Sequence, residues 1–257
     1  MEAFLLKLVL TPLLVGVASL VGRRWGAEVG GWLVGIPFTS GPIAFFLALE
    51  AGPRFAADAA VGILAGTVSQ VAFALAYAWI AIRAGWPPSF AAATVSFLAI
   101  TAVLDVFRLG VAVTFLVAVA SLVVALVLMP RRRPARPNLA ALPWWDIPAR
   151  MIVATTFVIV LTSAAPALGA HLAGLLAPFP LYATVLAVFA HRLQGGDAAI
   201  GVLRGLLLGL FAFAGFFLAV ALLLVPHGIP LAFSSAVLVA LAVQAVSLVS
   251  GRILKIA

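Results

Sequence analysis

The amino-acid sequence predicts an all-α polytopic membrane protein, and its composition and charge pattern both support this class. Hydrophobic residues make up 66% of the chain and charged residues 9%, with a mean hydropathy of +1.30. Soluble domains carry roughly 25% charged and about 45–50% apolar residues. The few charges are also grouped, and they separate long apolar stretches. Because polar residues are too few to cover a water-exposed surface, we expect lipid to surround most of the chain.

The apolar stretches divide the chain into about nine expected transmembrane helices. Each crossing of a hydrocarbon core about 30 Å thick needs about 20 apolar residues. The 257 residues therefore leave room for short loops but not for a sizeable soluble domain. The first stretch lacks the basic start of a signal peptide, so we expect it to be retained. The expected spans are residues 4–22, 28–50, 58–82, 88–105, 109–130, 148–165, 168–190, 197–225 and 229–250.

The distribution of Lys and Arg predicts the orientation of these spans. Cytoplasmic loops of membrane proteins are enriched in both residues. With nine spans, eleven Lys and Arg residues fall on one side and three on the other, and Arg204 is left out because it lies inside a span. The larger group is Arg23, Arg24, Arg83, Arg131, Arg132, Arg133, Arg136, Arg150, Arg192, Arg252 and Lys255, and the smaller is Lys7, Arg54 and Arg108. We therefore expect a multi-pass protein of the cell (inner) membrane, with the N-terminus outside and the C-terminus in the cytoplasm.

A repeated segment indicates that the chain consists of two related halves. Residues 58–66 read DAAVGILAG and residues 197–205 read DAAIGVLRG, so eight of nine positions are identical or conservative apolar exchanges. The same offset of 139 residues pairs Gly30 with Gly169, Gly35 with Gly174 and Pro87 with Pro226. Several matches at one offset favour a duplication, with spans one to four as the first copy and spans six to nine as the second.

The span count predicts that the two copies have opposite orientations in the membrane. Corresponding helices lie five crossings apart, and an odd number of crossings inverts the second copy. The predicted organisation is a first inverted repeat over 1–108, a linker helix and basic cytoplasmic loop over 109–147, and a second inverted repeat over 148–257. Inverted repeats are common in secondary transporters, where the two halves exchange roles as the site opens to either side.

Spans two and seven each contain prolines near their midpoints, which predicts broken helices near 37–42 and 178–180. An interior proline removes a backbone hydrogen bond and clashes with the preceding turn. Unpaired backbone in a membrane is tolerated where it is buried in protein or lines a polar cavity. Matched breaks in two halves are a sequence sign of a transport site. The alternative interpretation is a pair of proline kinks that serve packing only.

Polar residues at mid-membrane depth complete the candidate site. Gln70 stands out because its amide offers both donors and acceptors and is poorly suited to face lipid. Arg204 lies well inside a span, where it could pair with an anionic substrate or extend toward the cytoplasmic interface. The candidate substrate-binding residues are Pro37, Phe38, Thr39, Ser40, Gly41, Gln70, Pro178, Phe179, Tyr182, Thr184 and Arg204.

The residue types present do not indicate an enzyme. The chain has no cysteine, and His171, His191 and His227 have a spacing that suits no metal site. No nucleotide-binding or nucleophile motif occurs, and no carboxylate pair lies at mid-depth. We therefore expect no catalytic residue, metal or cofactor. The formal charge of +8 is explained by cytoplasmic loops, so a nucleic-acid partner is not expected.

These features together predict a small secondary transporter or exporter of a small, in particular anionic, solute. Paired inverted repeats with broken helices resemble the bile-acid/sodium symporters and related anion carriers, a resemblance of fold that transfers no site residues. The alternative is a passive pore or an accessory membrane subunit of a larger complex. The expected partners are the lipid bilayer, the solute, Na+ or H+ as candidate coupling ions, and further copies of the chain in a homo-oligomer.

Overall fold

The computed structural model describes residues 8–13, 16, 17, 20, 37, 39–131 and 145–253, and every regular element in this part is an α-helix. The helices are α1 Ser40–Glu50, α2 Pro53–Ala81, α3 Trp86–Val106, α4 Val111–Leu128, α5 Asp146–Leu176, α6 Leu181–Gln194 and α7 Gly196–Ile253. Among the described residues, five helical stretches are long and apolar enough to cross a bilayer. The fold is therefore that of a multi-pass helical membrane protein, as the composition predicts.

Two of the long helices are each interrupted at a glycine. Helix α7 has 58 residues, which at about 1.5 Å per residue would be about 87 Å long, far more than one crossing needs. Gly228 divides it, because its φ of 76° and ψ of 175° are not helical. Gly169 divides α5 in the same way, with a φ of 77°. Positive φ values are accessible to glycine without steric cost, so the chain can turn at both positions. The divisions fall next to the expected ends of spans six and eight.

Helices α2 and α7 form the centre of the molecule and run in opposite directions. They pack against each other along much of their lengths. Gly196, at the start of α7, lies directly against the carbonyl oxygen of Ala81 at the end of α2. Both helices are mainly buried, whereas α3 and α4 expose most of their apolar side chains. The latter two thus form a surface suited to lipid contact.

Part of the predicted organisation lies outside the described residues. These parts include most of span one, residues 28–36 of span two, Phe38, and residues 132–144 of the basic loop. Helices α2, α3 and α4 cover the expected spans 58–82, 88–105 and 109–130 to within about five residues. Helices α5 and α7 each extend over parts of two expected spans.

Candidate functional site

The candidate site is a small cavity at the centre of the helix bundle. About 20 Å3 of it is open to the centre of a water molecule, which is room for about one water. Segments from α1, α2, α6 and α7 and from the α5–α6 connection surround it. Its lining residues are Pro37, Thr39, Ser40, Gln70, Pro178, Phe179, Pro180, Leu181, Tyr182, Ala183, Leu206 and Phe213.

Two short helices begin at this cavity. Helix α1 starts at Ser40 and has 11 residues, and α6 starts at Leu181 and has 14 residues. At about 1.5 Å per residue each is too short to cross a bilayer alone. The first N–H groups of a helix lack partners within that helix, and its N-terminal end carries about half a positive charge. Two such ends converge on the same small volume, although some of their N–H groups have backbone partners: Gly41 donates to the carbonyl oxygen of Pro37 and Leu181 to that of Phe179.

The interruption between α5 and α6 coincides with the predicted break at 178–180. Helix α5 ends at Leu176 and α6 begins at Leu181, so the chain between them leaves the helical path. The carbonyl oxygen of Ala177 accepts a hydrogen bond of 3.0 Å from the Ser40 hydroxyl of α1. This buried bond ties the start of one short helix to the chain segment that precedes the other.

Gln70 provides the amide of the cavity. Its side chain is only 5% exposed, and its Oε1 atom is buried with no hydrogen-bond partner. It lies 17 residues after the start of α2 and 11 before its end, or about 25 and 16 Å along the axis. The amide therefore lies in the middle part of α2. A buried polar atom without a partner is costly, so this oxygen distinguishes Gln70 from the other residues that line the cavity.

Glycines on α2 bring this helix close to the broken segment. A Cβ atom added at Gly66 would overlap the ring of Pro178 and lie 2.9 Å from the carbonyl oxygen of Leu175. One added at Gly62 would lie 2.5 Å from the carbonyl oxygen of His171. Glycine at both positions therefore lets the broken backbone pack on α2, a use of small residues that is common between membrane helices.

An aromatic cluster forms one side of the site. The ring of Phe179 lies with its centroid 6.1 Å from Phe73, 5.1 Å from Phe97 and 6.5 Å from Phe157. These distances are typical of packed aromatic pairs. Because three helices contribute these rings, the cluster fixes the position of the break and excludes water from that side.

Seven of the predicted site residues line this one cavity, whereas three others of the described residues do not. Gly41 lies one position further into α1, and Thr184 is buried on α6 with its hydroxyl oxygen unpartnered. Arg204 is half-buried, and its Nε atom has no partner. Phe38 lies outside the described residues. The seven lining residues are Pro37, Thr39, Ser40, Gln70, Pro178, Phe179 and Tyr182.

Sequence reasoning missed the contribution of α7 to the cavity. Leu206 and Phe213 are seven residues apart and therefore lie on one face of that helix. Arg204 is two residues from Leu206, or about 200° around the helix, which turns it away from this face. Because α7 is apolar on nearly all sides, its sequence gave no signal for which face meets the cavity.

The described residues contain no group of three or more His, Asp or Glu that could hold a metal ion. The histidines instead make single contacts. His191 Nδ1 lies 3.4 Å from the hydroxyl oxygen of Tyr77, and His171 Nε2 lies 3.4 Å from the carbonyl oxygen of Leu104. Among the described lining residues none is charged, so the backbone, the amide and hydroxyl groups supply the polarity of the cavity.

Comparisons of the chain with protein-family models, with curated proteins and with solved structures find no match. The fold and composition define a class, that of multi-pass helical membrane proteins.

Proposed function

We propose that the protein is a small secondary transporter whose solute binds in the central cavity between two broken helices. The observation that carries the proposal is the convergence of the N-terminal ends of α1 and α6 beside the buried amide of Gln70. Transporters commonly place substrate sites near the bilayer midplane, where discontinuous helices direct their N-terminal ends at anionic groups. A small anionic solute suits this polarity.

The arrangement of the helices supports two inverted repeats. In each proposed repeat a short helix that begins at the cavity leads through a glycine into a long central helix. The glycines are Gly52, with a φ of 91°, and Gly195, with a φ of 93°. The long helices, α2 and α7, carry the repeated segments 58–66 and 197–205 and run in opposite directions. Opposite directions of matched helices are what inversion requires.

Transport would proceed by alternating access around this site. We propose nine spans in the inner membrane, with the N-terminus outside and the C-terminus in the cytoplasm, because this arrangement places eleven basic residues inside and three outside. The two repeats would then exchange their conformations to open the cavity first to one side and then to the other. In the conformation described here the cavity has room for about one water, so transport requires it to widen.

The small volume of the central cavity favours a transporter over a passive pore. A pore keeps an open polar path through the membrane, whereas about 20 Å3 of space holds about one water. The alternative of an accessory subunit requires a partner-binding face. The most exposed helices, α3 and α4, present mainly Val, Leu and Ala, which equally suit lipid. Neither alternative explains two short helices that begin at one buried amide.

Uptake into proteoliposomes tests the proposal. Purified protein would be reconstituted and assayed with a panel of small organic anions, with and without a sodium gradient. We expect saturable flux for at least one anion and none in protein-free liposomes. Ser121→Ala on α4 is a matched control, because the Ser121 hydroxyl donates only to the carbonyl oxygen of Ala118 in its own helix. Folded protein without flux for any anion would refute the transporter and favour the subunit.

A further inference from the structure

The unpartnered amide oxygen of Gln70 indicates the chemistry of the solute. We infer that the site binds a small monovalent anion that carries its own hydrogen-bond donor, such as a short 2-hydroxycarboxylate. This inference rests on the proposed function, since it concerns the solute of the same cavity. It follows from three properties of the described lining residues, namely their net charge, their donors and acceptors, and the space between them.

The charge of the solute follows from the two helix ends. Each N-terminal end is equivalent to about half a positive charge, so two ends together balance about one negative charge. The described lining residues include no Lys, Arg, Asp or Glu that would change this sum. A cation would meet two positive ends and no carboxylate. A dianion would keep about one uncompensated charge in the membrane interior, where such a charge is costly.

The donor on the solute follows from Gln70. Its Oε1 atom accepts no hydrogen bond from the described part of the chain, although the side chain is only 5% exposed. An anion such as chloride or acetate brings acceptors only and would leave this oxygen unpaired. A hydroxyl or amino group on the solute would donate to Gln70, while the negative group lies at the positive ends of the two helices. Such a solute satisfies both parts of the site at once.

The size of the cavity limits the solute to a few atoms. The enclosed space holds about one water, so even a short hydroxycarboxylate requires some outward movement of the lining side chains. Phe179, in the connection before α6, and Tyr182, in the first turn of α6, are lining side chains that could make this movement. Larger anions would have to separate α1 from the broken segment, and the buried bond from Ser40 to Ala177 opposes that movement.

Binding measurements on the protein in lipid nanodiscs test the inference without requiring transport. The probes are glycolate, acetate and glycolamide. Acetate has a methyl group where glycolate has CH2OH, and glycolamide keeps the hydroxyl without the charge. An acceptor left unpaired costs about 10- to 100-fold in affinity, so we expect glycolate to bind that much more tightly than acetate. Glycolamide should bind at least about 10-fold more weakly than glycolate, because it lacks the charge that the helix ends favour.

Two variants assign the preference to Gln70. Gln70→Leu should bind glycolate and acetate about equally. Gln70→Asn replaces it in the experiment if the leucine variant does not fold. Because asparagine retains an amide, this variant should keep part of the preference for glycolate. Gln244→Leu is the matched control, because Gln244 is a buried glutamine of α7 outside the cavity lining. This control should keep the wild-type ratio.

The possible results separate this inference from the proposed function. Equal affinities of the wild-type protein for glycolate and acetate, or binding of neither, would overturn the inference. A preference that survives in Gln70→Leu would also overturn it. Flux of other anions in proteoliposomes would leave the transporter proposal intact in those cases, whereas selective glycolate binding without any flux would refute transport alone.

Discussion

Replacing Gly66 by alanine tests the close contact between α2 and the broken segment. The added methyl group would overlap the Pro178 ring and lie 2.9 Å from the carbonyl oxygen of Leu175. Ordinary contacts between such atoms are about 3.5 Å or longer, so the helix and the break must separate by roughly 0.6 Å or more. Because Pro178 lines the cavity, we expect the substitution to affect solute binding as well as stability.

The size of the effect can be estimated from two opposing contributions. Overpacking of a well-packed interior costs about 1–3 kcal/mol. Alanine also raises helix propensity at an interior position by up to about 1 kcal/mol. Because the added carbon would meet both the Pro178 ring and the Leu175 carbonyl, we expect the overpacking cost to lie near its upper end and the net loss to be about 2 kcal/mol. For chains of this approximate size each kcal/mol lowers Tm by about 2–4 °C, so we expect a decrease of about 4–8 °C.

Thermal unfolding followed by tryptophan fluorescence measures this effect, since the chain has six tryptophans and no cysteine. Gly110→Ala provides the control, because Gly110 precedes α4 with a φ of −66° and has no neighbour within 4 Å of an added Cβ. We expect the control to unfold within about 0.5 kcal/mol of wild type. If Gly66→Ala unfolds at the wild-type temperature and binds solute unchanged, the tight contact does not exist.

Three further experiments test the bond from Ser40, a buried hydroxyl pair and the prolines of the breaks. Ser40→Ala removes the donor to a buried carbonyl of the break, so we expect a loss of about 1–3 kcal/mol in the free energy of unfolding. The Thr101 hydroxyl donates a buried hydrogen bond of 2.9 Å to the Ser69 hydroxyl. A double-mutant cycle with Thr101→Val and Ser69→Ala should give a coupling energy of about 0.6 kcal/mol, and no more than about 1.7 kcal/mol. The double substitution Pro37→Ala with Pro178→Ala should abolish transport more than it lowers expression, and transport that survives it would place the solute site elsewhere.

One of the two predicted helix breaks can be compared with the structure, and its cause is local. An interior proline removes a backbone hydrogen bond, and the prolines near 178–180 indicated where α5 and α6 separate. Pro166, Pro226 and Pro230 lie inside helices, so a proline alone does not mark a break. Of the other predicted break, near 37–42, residues 40–42 are helical and Phe38 lies outside the described residues. The polar turn between α3 and α4 was likewise recognisable from Asp105, Arg108 and Gly110, and the structure has no helix from 107 to 110. Gln70 was identifiable because its amide is unusual in a segment of that hydropathy.

The neighbours of these residues could not be predicted, because they depend on how helices rotate against one another. Arg204 was a candidate from its depth in the membrane, yet its side of α7 does not meet the cavity. The packing of Phe73, Phe97 and Phe157 around Phe179 was not foreseen for the same reason. In a chain with 18 phenylalanines, apolar residues on all helix faces obscure which face is buried in protein and which faces lipid.

Labelling of single cysteines tests most directly whether the two halves have opposite orientations in the membrane. The chain has no native cysteine, so Asp58→Cys and Asp197→Cys can be introduced one at a time at the matched starts of the repeated segments. Arg54→Cys and Gln194→Cys add exposed positions close to the same helix ends. A membrane-impermeant maleimide should label positions 54 and 58 in intact cells and positions 194 and 197 only after permeabilisation. Labelling of both pairs from the same side would contradict the inverted arrangement and the transport mechanism built on it.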